Sequence, residues 1–542
     1  MKKTTKKILL AGLLTAIVAG GCKKSWLDIN TNPNAPVDAS IDPSTLEGGA
    51  VLNTATNVVT GYQFLSHWLG FLNTSSGVSP NAEEQSYNIS TGFSNAFGTI
   101  LDNNFDYNIM QQKADATGMT FYSGIAKIMK SLNYARMVDL YNNVPYTATF
   151  GAPANLTPKY DDAKTIYEDL IKQIDAGITQ IKAADLAANP RLAIVDKMFG
   201  ASKTKWVQFA NTLKLRILMH QAGRADRASY ITTEIAKIVA EGSGFIGTGG
   251  SATVNPGYSQ AQANPYYATY DFNSTGGEAS QERANTIMVN VLKNNADPRL
   301  AGVYQADASA VPAGSAEPTP TLANPPGITG VYRGGVYGQS IDNATYKYQT
   351  RAYLAKVGGA VTASAATGSA VGLVRGWDAP IWIMTSVESL FLQAEAIQRG
   401  FLTTSVTADV ALQNAIKESF IFLNIGGSAA AATTSFTTWY ASQATNANVS
   451  YAAAGDKLQV IAYQKYVAMT GVDELEVWND YRKFGAAYYP FITLSLYPSR
   501  SSNILPVRLL YPTNELLYNS DNVPAVGRKS GDQFTAKIWW MP

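Results

Sequence analysis

Apolar side chains recur every three or four residues along several long stretches of the chain. In YSGIAKIMKSLNYARMVDLYNNVP the stripe is Ile125, Ile128, Leu132 and Ala135. In YDDAKTIYEDLIKQIDAGITQI it is Ile166, Leu170, Ile174, Ile178 and Ile181, and in KWVQFANTLKLRILMHQA it is Trp206, Phe209, Leu213 and Ile217. Each stripe predicts an amphipathic helix. Asn142, Asn143 and Pro145 end the first. Asp161 and Asp162 open the second, where carboxylates cap free amides and complement the helix dipole. Trp206, Trp478, Tyr141 and Tyr167 fall on such stretches and are assigned to packing.

The pattern returns after residue 378. TSVESLFLQAEAIQRG starts with Thr385 and Glu388 in capping-box spacing and stops at Gly400. Helices over about Ala408–Leu423, Leu458–Met469 and Asp473–Lys483 follow, the last opened by Asp473 with Glu476 and closed by Gly485. Helix pairs with short links predict a mainly α protein with tetratricopeptide-like stacking. Between them, residues 242–377 are dense in Gly, Pro, Ser, Ala and Tyr and read as an irregular, loop-rich lobe, broken by one short helix over about Glu282–Lys293. The expected organisation is a helical-repeat scaffold over 37–241 and 378–542 around that lobe, one unit from 37 to 542.

The first 36 residues follow neither pattern. Lysines at positions 2, 3, 6 and 7 precede an uncharged apolar run, Ile8–Ala19. Gly20 and Gly21 then lead to Cys22, the single cysteine of the 542-residue chain. The run is shorter than the roughly 20 residues of a bilayer span. It reads as an export signal over residues 1–21. Small residues directly before a cysteine resemble a lipoprotein signal, which implies diacylglycerol on the Cys22 thiol and cleavage ahead of it. Residues 22–36 then form an Asn- and Pro-rich tether. Removing residues 1–21, with four lysines and no acid, turns 42 basic and 40 acidic residues into 38 against 40. The mature chain has no basic excess to attract nucleic acid, and with one cysteine it forms no internal disulfide.

Candidate chemistry is sparse. Gly242, Gly244 and Gly247 spell G-x-G-x-x-G, but a helical pattern precedes them and no helix follows, so they read as a glycine-rich helix exit rather than a dinucleotide loop. The two histidines, His67 and His220, form no metal motif and are read as packing or capping residues. Glu83-Glu84 and Asp161-Asp162 sit at predicted turns or helix starts, where capping explains them better than glycoside hydrolysis. No catalytic residue, metal site or cofactor is expected. Thirty tyrosines, nineteen phenylalanines and nine tryptophans instead suit a binding protein, since flat rings offer sugars an apolar face and amides match their hydroxyls.

Several blocks together, in order, resemble one family. They are LDINTNPNAP, AKIMKSLNYARMVDLYNNVPY, PKYDDAKTIYEDLIKQID, KWVQFANTLKLRI, NADPRL, PIWIMTSVESLFLQAEAIQRG, AYQKYVAM with LEVWNDYRKFG, LPVRLLYPTNE and KIWW. The chain resembles the SusD/RagB group of nutrient-binding outer-membrane lipoproteins, in the branch with a DINTNPN-type start. The resemblance implies tetratricopeptide-like helix pairs packed against a looped lobe, and a lipid-anchored position on the outer membrane, facing outward. It implies a hinged lid over a SusC-like TonB-dependent barrel, delivering oligosaccharide or, in the alternative, peptide. A surface glycan hydrolase and a helical-repeat scaffold without small ligand are the rivals from other classes. Lys23, Lys24 and Ser25 stand where an acidic run often marks surface export.

In the family, ligand pockets draw on the early loops and the middle lobe. The matching loop residues here are Trp68, Tyr87 and Phe93 in the early stretch, Tyr266, Tyr267 and Tyr270 in NPYYATYDF, and Tyr332, Arg333 and Tyr337 in VYRGGVYG. These nine are the expected ligand contacts.

Overall fold

A computed structural model describes residues 41–75, 81–273, 275–279, 281–306, 322–339, 352–359 and 370–542. The leader, Cys22 and the tether lie outside the described residues. The principal helices of the first half are α1 (Pro43–Thr60), α2 (Gln63–Trp68), α3 (Ala82–Ser86), α4 (Ala96–Thr117), α5 (Thr120–Tyr141), α6 (Ala163–Ala183), α7 (Lys203–His220) and α8 (Ala228–Glu241). The lobe carries α9 (Pro265–Tyr270) and α10 (Thr286–Asn294). The second half has α11 (Ser386–Gln398), α12 (Ala408–Phe422), α13 (Ala429–Ser442), α14 (Lys457–Ala468) and α15 (Glu474–Phe484).

The helix starts follow from capping side chains. Asp162 accepts from Thr165 N at 2.9 Å, Thr385 from Glu388 N at 3.2 Å and Asp473 from Glu476 N at 3.4 Å. Such caps contribute about 1 kcal/mol each. Neighbours in sequence pack side by side, α4 on α5, α5 on α6, α6 on α7, and α11 on α12. The α5–α6 contact is close because two glycines meet there. A methyl on Gly124 would lie 2.8 Å from the Gly177 carbonyl oxygen, and one on Gly177 would lie 2.9 Å from that of Gly124. Contacts of α11 with α7 join the halves, and residues 43–542 form one unit.

Short antiparallel ladders tie the lobe together and to the scaffold, and a further one lies within the helical half. Strands β1 (Leu72–Thr74), β2 (Val144–Pro145), β3 (Tyr160–Asp161), β4 (Ala252–Val254), β5 (Glu282–Ala284), β6 (Tyr304–Gln305), β7 (Lys356–Val357) and β8 (Ile381–Met384) pair as β1–β5, β2–β3, β4–β8 and β6–β7. Two-stranded ribbons of this length are not stable alone, so the lobe depends on the scaffold beneath it. One expectation is corrected. Glu282–Ala284 is strand, not the start of a helix, because its backbone pairs with Leu72–Thr74. The helix begins only after Asn285, whose side chain accepts from Ile287 N at 2.9 Å. Gly242 ends α8 with φ +86°, as a glycine helix exit requires.

Candidate functional site

Trp68, Tyr87, Phe93 and Tyr337 converge on Glu84. Trp68 Nε1 donates to the Glu84 carbonyl at 3.1 Å, and Phe93 stacks on its ring at 6.0 Å with planes 7° apart. Tyr87 meets Trp68 edge-on at 5.9 Å, and its hydroxyl accepts from Ser495 N at 2.8 Å. Tyr337 donates to Glu84 Oε1 at 3.0 Å. His67 sits between Glu84 (2.6 Å) and Glu282 (2.7 Å). Burial alone would resist its charging, but the two carboxylates hold it well above its ordinary 6.5. It is an imidazolium clamping α2, α3 and β5 together.

Tyr266, Tyr267 and Tyr270 form a second group on α9. Tyr332 and Arg333 lie apart from both, the Tyr332 carbonyl accepting from Lys293 Nζ and Arg333 Nη1 donating to the Tyr353 carbonyl. Eight of the nine expected ligand contacts are buried, at 0–8 % exposure. Only Phe93 is half-buried. A lobe with almost no regular backbone structure uses its large rings as its own core, so the faces are covered by neighbours.

What α9 does offer is a notch. Tyr266, Tyr267, Trp382, Phe422 and Arg375 wall a hollow of about 40 Å³. Tyr266 donates to the Gly471 carbonyl (2.8 Å) and Trp382 Nε1 to that of Val472 (2.7 Å), which fixes both rings against the scaffold. Asn264 caps α9 through Tyr267 N and bonds the Gly376 carbonyl at 2.7 Å, holding the Arg375 segment in place. Arg375 lies over the Phe422 ring at 5.0 Å and donates Nε to the Gly372 carbonyl at 3.3 Å. Its Nη2 is buried without a partner, as is Trp377 Nε1 two residues on. Burial pulls the guanidinium below arginine's usual range. Unspent donors beside aromatic walls fit an acceptor-rich ligand edge.

Asp139, His220 and Glu476 are the metal-type grouping found among the described residues. Their donor atoms are already engaged. His220 Nε2 is 2.7 Å from Glu476 Oε2, Tyr167 and Trp540 Nε1 donate to Asp139, and Arg216 Nε approaches Glu476 at 3.7 Å. Burial would lower the His220 pKa, but Glu476 and Asp139 push it up to about 9. The guanidinium and imidazolium supply the positive charge that a metal would bring, so the cluster is a structural ion network. It continues through Arg216–Glu388 (2.5 Å), Arg136–Asp473 (3.0 Å), Lys465–Asp480 (2.7 Å) and Lys483–Glu395 (2.8 Å).

Two larger hollows open on the helical half. One, of about 380 Å³, lies among α4, α5, α6 and the turn Tyr146–Gly151. The other, of about 460 Å³, lies between α1 and α4 and is lined by Asn53, Thr56, Asn57, Asp102 and Phe105. Phe105 from the second contacts Phe150 of the first at 5.8 Å. Neither was foreseen from the sequence, although Lys127, Lys130, Ser131 and Tyr134 form a stripe at helical spacing that could have signalled the first.

The molecule is thus a helical-repeat scaffold carrying a looped lobe. A family model described as starch-binding and associating with the outer membrane matches residues 33–512, and the chain belongs to that SusD-like family. Solved structures share the fold. A chitin-binding SusD homologue from Flavobacterium johnsoniae has a TM-score of 0.67 at 20 % identity, covering 91 % of this chain and 98 % of its own. A SusD/RagB family protein from Bacteroides thetaiotaomicron gives 0.67 at 21 % (92 % and 99 %). A SusD homologue from Bacteroides fragilis gives 0.67 at 18 % (91 % and 100 %). Comparison with curated proteins gives no match. Among the described residues, no helix is long and apolar enough to cross a membrane.

Proposed function

We propose that this protein captures an oligosaccharide at the outer membrane and passes it to a SusC-like TonB-dependent barrel, as a hinged lid held by lipid on Cys22. Membership of a starch-binding, outer-membrane-associating family supports this reading. So does the chitin-binding neighbour of the same fold. The single observation that carries the binding step is the notch beside α9, where Arg375 Nη2 stands unpaired between aromatic walls. A hydroxyl or ring oxygen of a sugar supplies the missing acceptor, and the rest of the glycan extends over the lobe. The lid does no chemistry; the barrel's energy source drives passage.

A screen of the purified protein against neutral oligosaccharides and short peptides tests the cargo, because bound ligand raises the melting temperature by mass action. The expected hits are oligosaccharides, with affinity at least tenfold weaker in Arg375→Met. Hits confined to peptides, or turnover of the glycan, overturn the proposal. For the anchor, Cys22→Ser should leave the membrane fraction; retention there contradicts acylation.

A further inference from the structure

The 380 Å³ hollow of the helical half differs in chemistry from the notch. Two helices turn polar stripes toward it at helical spacing, Asn108, Gln111 and Gln112 from α4 and Lys127, Lys130 and Ser131 from α5, and α6 adds Gln173 beside Leu170. On helices that pack side by side, such positions normally hold apolar residues. The turn above is anchored at its base, since Asp161 accepts from Tyr146 N at 3.0 Å and Thr147 N at 2.8 Å. Tyr134 and Tyr146 meet edge-on at 4.8 Å on the same wall. The volume falls at the small end for a small-molecule pocket.

Its cations are loosely matched. Lys130 Nζ donates only to the neutral Asn108 Oδ1, at 3.3 Å, and makes no ion pair. Lys127 has Asp115 no nearer than 3.9 Å, and that carboxylate is half exposed. Burial, and then the neighbouring Lys127, pull Lys130 down to about 8. Lys127 is pulled down as well, by burial first. Two ammonium groups one helical turn apart thus face a concave, amide-lined space. Asp115 meets only Lys127, and Asp169 is taken up by the Tyr146 hydroxyl (2.6 Å) and Gln173 Nε2 (3.3 Å). Lys130 keeps a charge with no carboxylate of its own, which attracts an anion.

We propose that this hollow is a second ligand site, separate from the notch, for a carboxylate-bearing sugar of the uronic acid class. Lys127 and Lys130 receive the carboxylate, Asn108, Gln111 and Gln173 match the hydroxyls, and Tyr134 and Tyr146 flank the ring. Site and chemistry stand independently of the lobe notch.

Calorimetric titration of the purified protein with galacturonate, galactose and N-acetylaspartate tests it. The expected result is galacturonate binding at least tenfold tighter than galactose, and tighter than N-acetylaspartate. Lys127→Gln/Lys130→Gln should remove that preference. Gln112→Glu, on the exposed rim, adds a negative charge without touching the core, and should weaken galacturonate several-fold while leaving galactose unchanged. Arg375→Met should alter none of this. Equal binding of galacturonate and galactose, no binding of either, or undiminished galacturonate binding in both charge variants overturns the proposal. N-acetylaspartate binding as tightly as galacturonate overturns the sugar assignment.

Discussion

The helical scaffold and the loop-rich lobe both bury rings and charges, but the scaffold links its charges into one network whereas the lobe holds separate pairs such as Arg299–Asp297 (2.6 Å). The scaffold buries charge: Arg136, Arg216, His220, Lys465 and Lys483 are all nearly inaccessible and all meet carboxylates. The lobe buries rings, with Tyr266, Tyr270, Tyr304, Tyr332 and Tyr337 at 0–7 % exposure. Ion networks tolerate few alternatives, because a partner left alone in the interior is costly. Aromatic packing between short ladders tolerates more rearrangement. The scaffold is therefore built to keep one geometry, and the lobe is the part more open to rearrangement.

The sharpest way to break that contrast is to remove one member of the network. Arg216 is bidentate to Glu388, with Nε to Oε1 at 2.6 Å and Nη2 to Oε2 at 2.5 Å, and stands 3.7 Å from Glu476. Arg216→Ala strands the buried Glu388 carboxylate, leaves Glu476 with His220 as its ion-pair partner, and should cost about 3–5 kcal/mol in denaturant unfolding. Tyr270→Phe in the lobe keeps the ring and should cost about 1 kcal/mol or less. Similar losses in the two variants would show that the scaffold is no more charge-dependent than the lobe.

The second effect comes from pH. The folded state raises His220 from 6.5 to about 9. Its contribution is complete below pH 6.5 and is lost as pH rises through 9. Full loss amounts to about 3 kcal/mol. Glu47 acts in the same direction. Burial first, then Asp196, raise it from 4.5 to about 8, and both its carboxyl oxygens lack partners. Ionising it above pH 4.5 therefore favours unfolding. Stability should fall between pH 6.5 and pH 9, and His220→Gln should flatten that fall when unfolding is measured at both values. An unchanged slope in the variant would place the alkaline loss elsewhere.

The same contrast decided what could be read from the chain. Helices α6, α7, α11 and α15 announce themselves by apolar stripes and by Asp162, Thr385 and Asp473 as caps. Helix α4 does not. Its buried face includes Asn103 and Asn104, which accept from Asn133 Nδ2 at 2.9 and 3.0 Å, so hydrogen bonds replace the apolar stripe. Asp473 and Glu476 spell a capping box, of which Asp473 caps Glu476 N, yet the two side chains also reach Arg136 and His220. The Arg136–Asp473 pair lies 337 residues apart in sequence, and no local spacing encodes it. In the lobe, the aromatic stock was legible but its exposure was not, since irregular backbone gives no periodicity from which to tell inward from outward. Arg375, in a stretch with no motif, was invisible for that reason.

The smallest expected effect on stability is the one that tests the lobe's purpose. Arg375→Met removes a buried Nη2 donor that has no partner, which relieves a penalty of about 1–3 kcal/mol. It also removes the stacking over Phe422 at 5.0 Å, worth about 0.5–1 kcal/mol, and the 3.3 Å bond to the Gly372 carbonyl, worth about 1 kcal/mol. The terms nearly cancel, and the methionine side chain refills much of the space. The unfolding free energy should stay within about 1 kcal/mol of the parent, while glycan affinity drops. An arginine kept for the fold would show the reverse, a clear loss of stability with binding intact. That outcome would make the lobe a second structural core and leave the capture step to the helical half.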